Sequence, residues 1–272
     1  METGGLETIS FEEVAPRVAV LTLNRPDRLN AITLKMYDEI EQIVDTLSRD
    51  ASTRVLVITG AGRGFCSGQD LRDLGADPAA SDLGRIQFGM AWQARAAQLI
   101  KTIHELPQVV IAAVNGPASG AGLALALAAD IRLAASSARF NVAFVRIGLS
   151  GADMGTSYFL PRIVGPTAAA EMMLTGRLID ALEARDNGLV LRVVDDGRVL
   201  DEALSIASAI MANSPFGVRM TKQVLWKNID APSLDAAMQL ENRTQILASL
   251  TEDCREAEAA FLARRAPVFS DT

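Results

Sequence analysis

Two glycine-rich loops and one isolated carboxylate carry the chemical potential of this 272-residue sequence. The first loop, "GAGRGFCSGQD" over 60–70, places Ser67 and Gly68 where their small side chains leave the backbone N–H groups near Gly68 and Gln69 unhindered. The second, "GPASGAG" over 116–122, opens an apolar stretch. If that stretch is helical, its first-turn N–H groups lack intrahelical partners and carry the positive end of the helix dipole. Two such donor sets at the ends of adjacent parallel strands can converge on one oxygen. They would form an oxyanion hole, where each donor lowers the energy of an enolate or tetrahedral intermediate by about 2.7–4 kcal/mol. Spacing alone is equally compatible with two tight turns. The carboxylate is Asp153 in "GLSGADMGTSY", set among glycines and small residues with apolar chain on either side. Such an aspartate is either a base held against a substrate or the N-cap of a helix beginning near Met154, a role worth about 1 kcal/mol.

Other chemistries find no support in the pattern. Glycines at 60, 62 and 64 miss the G-x-G-x-x-G spacing, and there is no G-x-x-x-x-G-K-[ST], so neither a Rossmann nor a P-loop nucleotide site is expected. His104, in "KTIHELP", is the single histidine and no serine sits in G-x-S-x-G, which leaves no hydrolase triad. It reads as a helix C-terminal residue interacting with the last carbonyls. Without H-E-x-x-H or clustered acidic ligands, no metal site is expected. Cys66 and Cys254 form no disulfide framework and no C-x-x-C pair, which suits a reducing, cytoplasmic setting.

The elements that must position the loops follow from apolar periodicity. "VAVLTLN" (Val18 to Asn24), "RVLVITG" (Arg54 to Gly60), "VVIAAVN" and "IRLAAS" (Ile131 to Ser136) read as strands. Between them fall a helix from Leu34 with Thr33 as N-cap, a helix over about Gln87 to Glu105, and "SGAGLALALAAD", a helix apolar on every face and therefore buried on all sides. Strands and helices alternating at this spacing indicate a parallel α/β arrangement. The run from Val109 to Ala129 carries no charge, but Asn115, Gly116, Pro117, Gly120 and Gly122 cut it into strand, turn and helix rather than a membrane span. After about residue 197 only amphipathic helices remain, which dock on the core or on a neighbouring subunit. The organisation expected is a core over residues 1–196 and a helical region over 197–272, one folding unit. A net charge of -7 argues against a nucleic-acid partner, and 49% hydrophobic residues with a mean hydropathy of +0.20 fit a globular chain. The opening "METGGLETISFEEV" has neither a basic nor an apolar signal region, so no signal peptide is expected.

Taken together, "NRPDRLNAIT", "VLVITGAGRGFCSGQDL", "LPQVVIAAVNGPASGAGLALALAADIRLA", "RIGLSGADMGTSYFLPRIVG" and "AAFLARRAPVF" resemble the crotonase superfamily, the enoyl-CoA hydratases and isomerases, over about residues 8 to 269. The resemblance implies a spiral of ββα units with C-terminal helices that build trimers or dimers of trimers. It also implies an acyl-coenzyme A substrate, with coenzyme A as part of that substrate and no separate cofactor. The backbone N–H groups of Gln69 and Ala121 match the family's oxyanion hole; family hydratases often have glycine at the latter position, and the donor is a main-chain atom in either case. Coenzyme A contacts are expected at Arg28, Ala31, Ser67, Gly68, Asp70, Arg72 and Gly120, with Arg264 or Arg265 reaching from a neighbouring subunit.

The carboxylates depart from the family pattern. Hydratases in the family use two glutamates to place and deprotonate water; the matching positions here are Ala124 and either Phe144 or Val145, none of which can move a proton. Asp153, aligned from "LPRIVG", matches the aspartate that dienoyl-CoA isomerases use as a base and chlorobenzoyl-CoA dehalogenases as a nucleophile. Their glutamate or tryptophan eight positions earlier is Val145. The resemblance therefore implies double-bond isomerisation through a stabilised enolate in preference to hydration. The alternative is an acyl-CoA-binding protein with little or no turnover. The wall of the acyl pocket is expected in the stretch Gly75 to Gln98.

Overall fold

A computed structural model of the chain describes residues 5–50, 52–73 and 84–271. In chain order the elements begin with β1 (Ile9–Ala15), β2 (Val18–Leu23), α1 (Leu34–Arg49), β3 (Val55–Gly60), α2 (Arg85–Glu105) and β4 (Val109–Val114). The middle of the chain forms β5 (Ala118–Ser119), α3 (Ala121–Leu127), β6 (Ile131–Ala135), β7 (Arg139–Asn141), α4 (Thr156–Val164), α5 (Pro166–Thr175), β8 (Ile179–Asp180), α6 (Ala181–Asp186) and β9 (Arg192–Val194). The chain ends on four helices: α7 (Val199–Met211), α8 (Pro215–Ile229), α9 (Leu234–Ser249) and α10 (Glu252–Leu262).

Among the described residues the strands form a six-stranded sheet in the order β1-β2-β3-β4-β6-β9 and a small sheet β5-β7-β8. β2, β3, β4, β6 and β9 run parallel, with Val18 opposite Val55 and Val55 opposite Val109. Their near-continuous apolar runs are what a parallel sheet covered on both faces requires. Leu21, Leu56, Ile58, Val110 and Ala112 point into the larger core beneath α1, α2 and α3. Val20, Val55, Val57, Val109, Ile111 and Leu133 point the other way, onto Val199, Ala203 and Ala207 of α7. α7 thus docks on the core and closes the second face of the sheet. β1 carries two buried apolar residues, Ile9 and Phe11, before Glu12 and Glu13, too brief an alternation to stand out in the sequence; it pairs antiparallel with β2.

The Val109–Ala129 run divides as its punctuation implies, into β4, β5 and α3, and every residue of α3 is buried. No helix among the described residues is long and apolar enough to cross a membrane. Thr33 caps α1, its hydroxyl oxygen accepting the Met36 N–H at 3.2 Å. His104 does not serve its own helix end as expected. Its Nδ1 lies 3.3 Å from the Ala128 carbonyl just past α3, and its ring stands edge-on to Phe159 and Trp226. Burial lowers its pKa, so the ring is a neutral packing element.

One polar network fastens α8 to the sheet. Asp130, between α3 and β6, accepts the Val110 N–H and the Trp226 indole N–H, each at 2.7 Å. It also pairs at 2.8 Å with Lys222, whose ammonium donates to the Gln108 carbonyl at 2.7 Å. Lys222 is 7% exposed, and burial pulls its pKa down against the raising effect of Asp130. Asp130→Ala, which strands that ammonium, is expected to cost about 3–5 kcal/mol in urea denaturation. Lys222→Met with Asp130→Asn, which leaves no unpaired charge, is expected to cost clearly less.

Candidate active site

The first glycine-rich loop is held from two sides by asparagine amides. Asn30, fully buried, donates to the carbonyls of Ala61 and Gly64 at 3.0 and 2.8 Å. Asn115, just past β4, donates to the Gly62 carbonyl at 3.0 Å and accepts the Gly60 N–H at 3.1 Å. The same loop is zipped to the second one. The N–H groups of Phe65 and Cys66 both donate to Pro117, and that of Ser119 donates to Cys66 at 3.0 Å, so that Cys66 and Ala118 pair in parallel.

This approach depends on missing side chains. A Cβ at Gly122 would lie 2.1 Å from the Cys66 carbonyl oxygen. At Gly68, where φ is +100°, a Cβ would lie 2.9 Å from the Ser119 carbonyl and 3.6 Å from the Ala121 nitrogen. Gly68 therefore rests directly on the first amide of α3, and the next amide along its own loop is that of Gln69. The neighbouring polar groups are all engaged: the Ile32 N–H donates to Gly68, and the Asp70 N–H and Gln69 side-chain amide both donate to Ile32. The main-chain N–H groups of Gln69 and Ala121 donate to no acceptor among the described residues. Two unspent donors on abutting loops are what stabilisation of one developing oxyanion needs. Gly120, at φ +52° and ψ −116°, sets the entry to α3.

Asp153 is not a helix cap. The N-cap of α4 is Gly155, without a side-chain capping bond; Asp153 contributes only its carbonyl, which accepts the Thr156 N–H at 2.8 Å. Met154 at φ +46° and Gly155 at φ +77° turn the chain twice through the left-handed region, a strain of about 1–3 kcal/mol at the methionine. The buried Met154 side chain anchors this turn. The half-buried Asp153 carboxylate consequently faces α2, where its Oδ1 accepts a hydrogen bond from the Gln93 side-chain amide.

The positions that match hydratase glutamates are apolar in distinct ways. Ala124 is completely buried in α3. The Phe144 ring packs on the second loop, 3.6 Å from where a Cβ on Gly120 would stand, whereas the Val145 methyls face Gly151 and Gly176. It is Phe144, then, that faces the loop. Tyr37 of α1 is a further member of this surround. Its buried hydroxyl has no hydrogen-bond partner among the described residues, and its ring meets Trp92 edge-on at 4.9 Å. Burial, and after it the neighbouring Cys66 and Asp153 groups, push the phenol well above its usual range, so it stays protonated. Nothing in sequence periodicity distinguished Tyr37 or Gln93 from ordinary helix positions.

Arg28, Ala31, Asp70 and Arg72 come together around one cavity of about 310 Å³, joined by Arg25, Thr33 and Asp73. Burial opposes ionisation of Asp70, but the Arg72 N–H and the Arg25 guanidinium hold its carboxyl below the usual range. Arg25 pairs with Asp70 at 3.1 Å, while Arg28 and Arg72 are exposed and pair with no carboxylate among the described residues. Ser67 sits at the edge, its hydroxyl donating to the Arg28 carbonyl at 3.3 Å. Arg264 and Arg265, past α10, do not line this cavity within one chain, and Arg265 is engaged by Glu256. Of the stretch Gly75 to Gln98, residues 75–83 lie outside the described residues and most of the rest belongs to α2.

Known proteins match this arrangement over nearly its whole length. A family model described as enoyl-CoA hydratase/isomerase matches residues 13–272. A probable enoyl-CoA hydratase of Mycobacterium tuberculosis is 44% identical over 264 residues, covering 97% of this chain and 93% of that protein. The 1,2-epoxyphenylacetyl-CoA isomerase of Escherichia coli is 40% identical over 262 residues, covering 96% and 97%. The crystal structure of a probable enoyl-CoA hydratase/isomerase from Mycobacterium abscessus superposes with a TM-score of 0.90 at 37% identity, covering 98% of this chain and 100% of that one. Touching glycine loops, spare amides and matched sequence agree: the chain belongs to the enoyl-CoA hydratase/isomerase family of crotonase-fold enzymes.

Proposed function

We propose that the protein binds an acyl-coenzyme A thioester and isomerises a double bond in its acyl group. The thioester carbonyl oxygen accepts from the Gln69 and Ala121 N–H groups. Asp153 removes a proton from a carbon conjugated with the carbonyl, the electron pair moves onto the thioester oxygen as an enolate, and Asp153 returns the proton to another carbon as the enolate collapses. The double bond shifts and no atom is lost. The observation that carries this reading is the close approach of Gly68 to the Ala121 amide, with neither that N–H nor the Gln69 N–H donating to an acceptor among the described residues.

Isomerisation is favoured over hydration because water addition needs acids at the places held by Ala124 and Phe144. The Escherichia coli relative is named an isomerase of an epoxyphenylacetyl-CoA, which supports isomerisation of an acyl-CoA in general and not a double-bond shift in particular, while the hydratase names of the others mark the competing reaction. The cavity between Arg28 and Arg72 offers coenzyme A phosphates two guanidinium groups that pair with no carboxylate among the described residues, which an acidic protein needs locally. Self-association as a trimer or a dimer of trimers is part of the same proposal. It draws support from the exposed apolar side chains of Leu225, Ile229, Leu234, Ile246, Leu247 and Phe261 on α8 to α10.

Incubation with enoyl- and acyl-CoA esters in heavy water tests the chemistry. Deuterium uptake at the α or γ carbon is expected, and Asp153→Asn is expected to slow it about 10²–10⁴-fold. Binding without exchange at any acyl length would favour a binding protein instead, and exchange untouched by Asp153→Asn would dismiss the aspartate. Gly68→Ala, whose Cβ would press on Ser119, is expected to lower exchange about 10²–10³-fold. Light scattering is expected to give three or six times the 29.0 kDa chain mass; a monomer would refute the assembly.

A further inference from the structure

A carboxylate that moves a proton between two carbons gains from having one oxygen held while the other reacts. Asp153 stands on a short side chain in a segment that turns twice through the left-handed region, and no cation pairs with it among the described residues. What restrains it is the Gln93 amide, which donates to Oδ1. An ionised carboxylate only accepts, so Gln93 must present its nitrogen and turn its own oxygen away. Oδ2 is left without a partner among the described residues, available to a substrate carbon.

Gln93 is itself carried on a braced arm. On one side of it Trp92 meets Tyr37 of α1 edge-on; on the other Arg95 reaches across to Asp38 and Glu41 of the same helix, bonding Glu41 at 2.7 to 3.1 Å. α1 is in turn tied to the oxyanion loop just ahead of its cap, where Ile32 pairs with Gln69. A continuous set of contacts therefore runs from the Gln69 loop through α1 and α2 to the carboxylate.

We infer that Gln93 is a positioning residue: by fixing Oδ1 of Asp153 from the braced α2 helix, it sets the carboxylate relative to the oxyanion donors and leaves Oδ2 to transfer the proton. The inference rests on the proposed role of Asp153. An amide exchanges no proton with a carbanion, so the effect belongs in the rate of turnover and not in substrate binding.

Gln93→Met, of equal length but without a donor, is expected to reduce kcat for exchange about 10- to 100-fold with KM within about twofold, the scale of a misplaced reacting group. Gln93→Glu, which sets a like charge against Asp153, is expected to lose at least as much. In the Asp153→Asn background Gln93→Met is expected to have no further effect, because the two residues act as one unit. An unchanged kcat in both Gln93 variants, or losses that multiply independently with Asp153→Asn, would overturn the inference alone. Exchange that survives Asp153→Asn intact would overturn the Asp153 assignment and this inference with it.

Discussion

Two peptide N–H groups on different loops can serve one oxygen only if nothing bulkier than hydrogen stands between the backbones that carry them. The two loops are built around that constraint. Gly68 and Gly122 are glycine because Ser119 and Cys66 occupy the volume a Cβ would need. β3 and β4 are neighbours in the sheet, so their C-terminal loops emerge side by side. Asn30 and Asn115 then absorb the carbonyls that such tight loops leave over, and the buried α3 sets one donor at its own N-terminus.

The Asp153 carboxylate is positioned by a different principle. The two donors are built into a rigid floor; the carboxylate is presented by a strained turn and steadied by a helix opposite. Hydration needs a second proton-moving group, and the surfaces where one would stand are taken by the Ala124 methyl and the Phe144 ring.

Much of this was legible in the sequence because it is written in local features. The apolar runs of β2, β3, β4 and β6, the all-round apolar α3, the Thr33 cap and the paired glycine loops each announce themselves within ten residues or so. Asp153 stood out as a charge in an uncharged segment, but its role as a cap could be dismissed only from the backbone, where Met154 and Gly155 take left-handed angles and displace the helix start. β1 was missed because two buried residues make too brief an alternation. α7 reads from the sequence as docking on the core or on a neighbouring subunit, since periodicity reports a buried stripe without saying which surface it meets. Gln93 and Tyr37 were invisible for a related reason: their meaning lies in contacts across more than 50 residues of chain, and a glutamine on an exposed helix face or a tyrosine in a core has no local signature.

Cys66 lies at the centre of the junction, completely enclosed, with burial pushing its thiol up to about 12. Only the thiolate reacts with alkylating agents and oxidants, so the folded junction keeps this sulfur chemically silent at neutral pH. Its reactivity becomes an intrinsic gauge of whether the two loops are together: any labelling of Cys66 records a molecule whose junction has come apart.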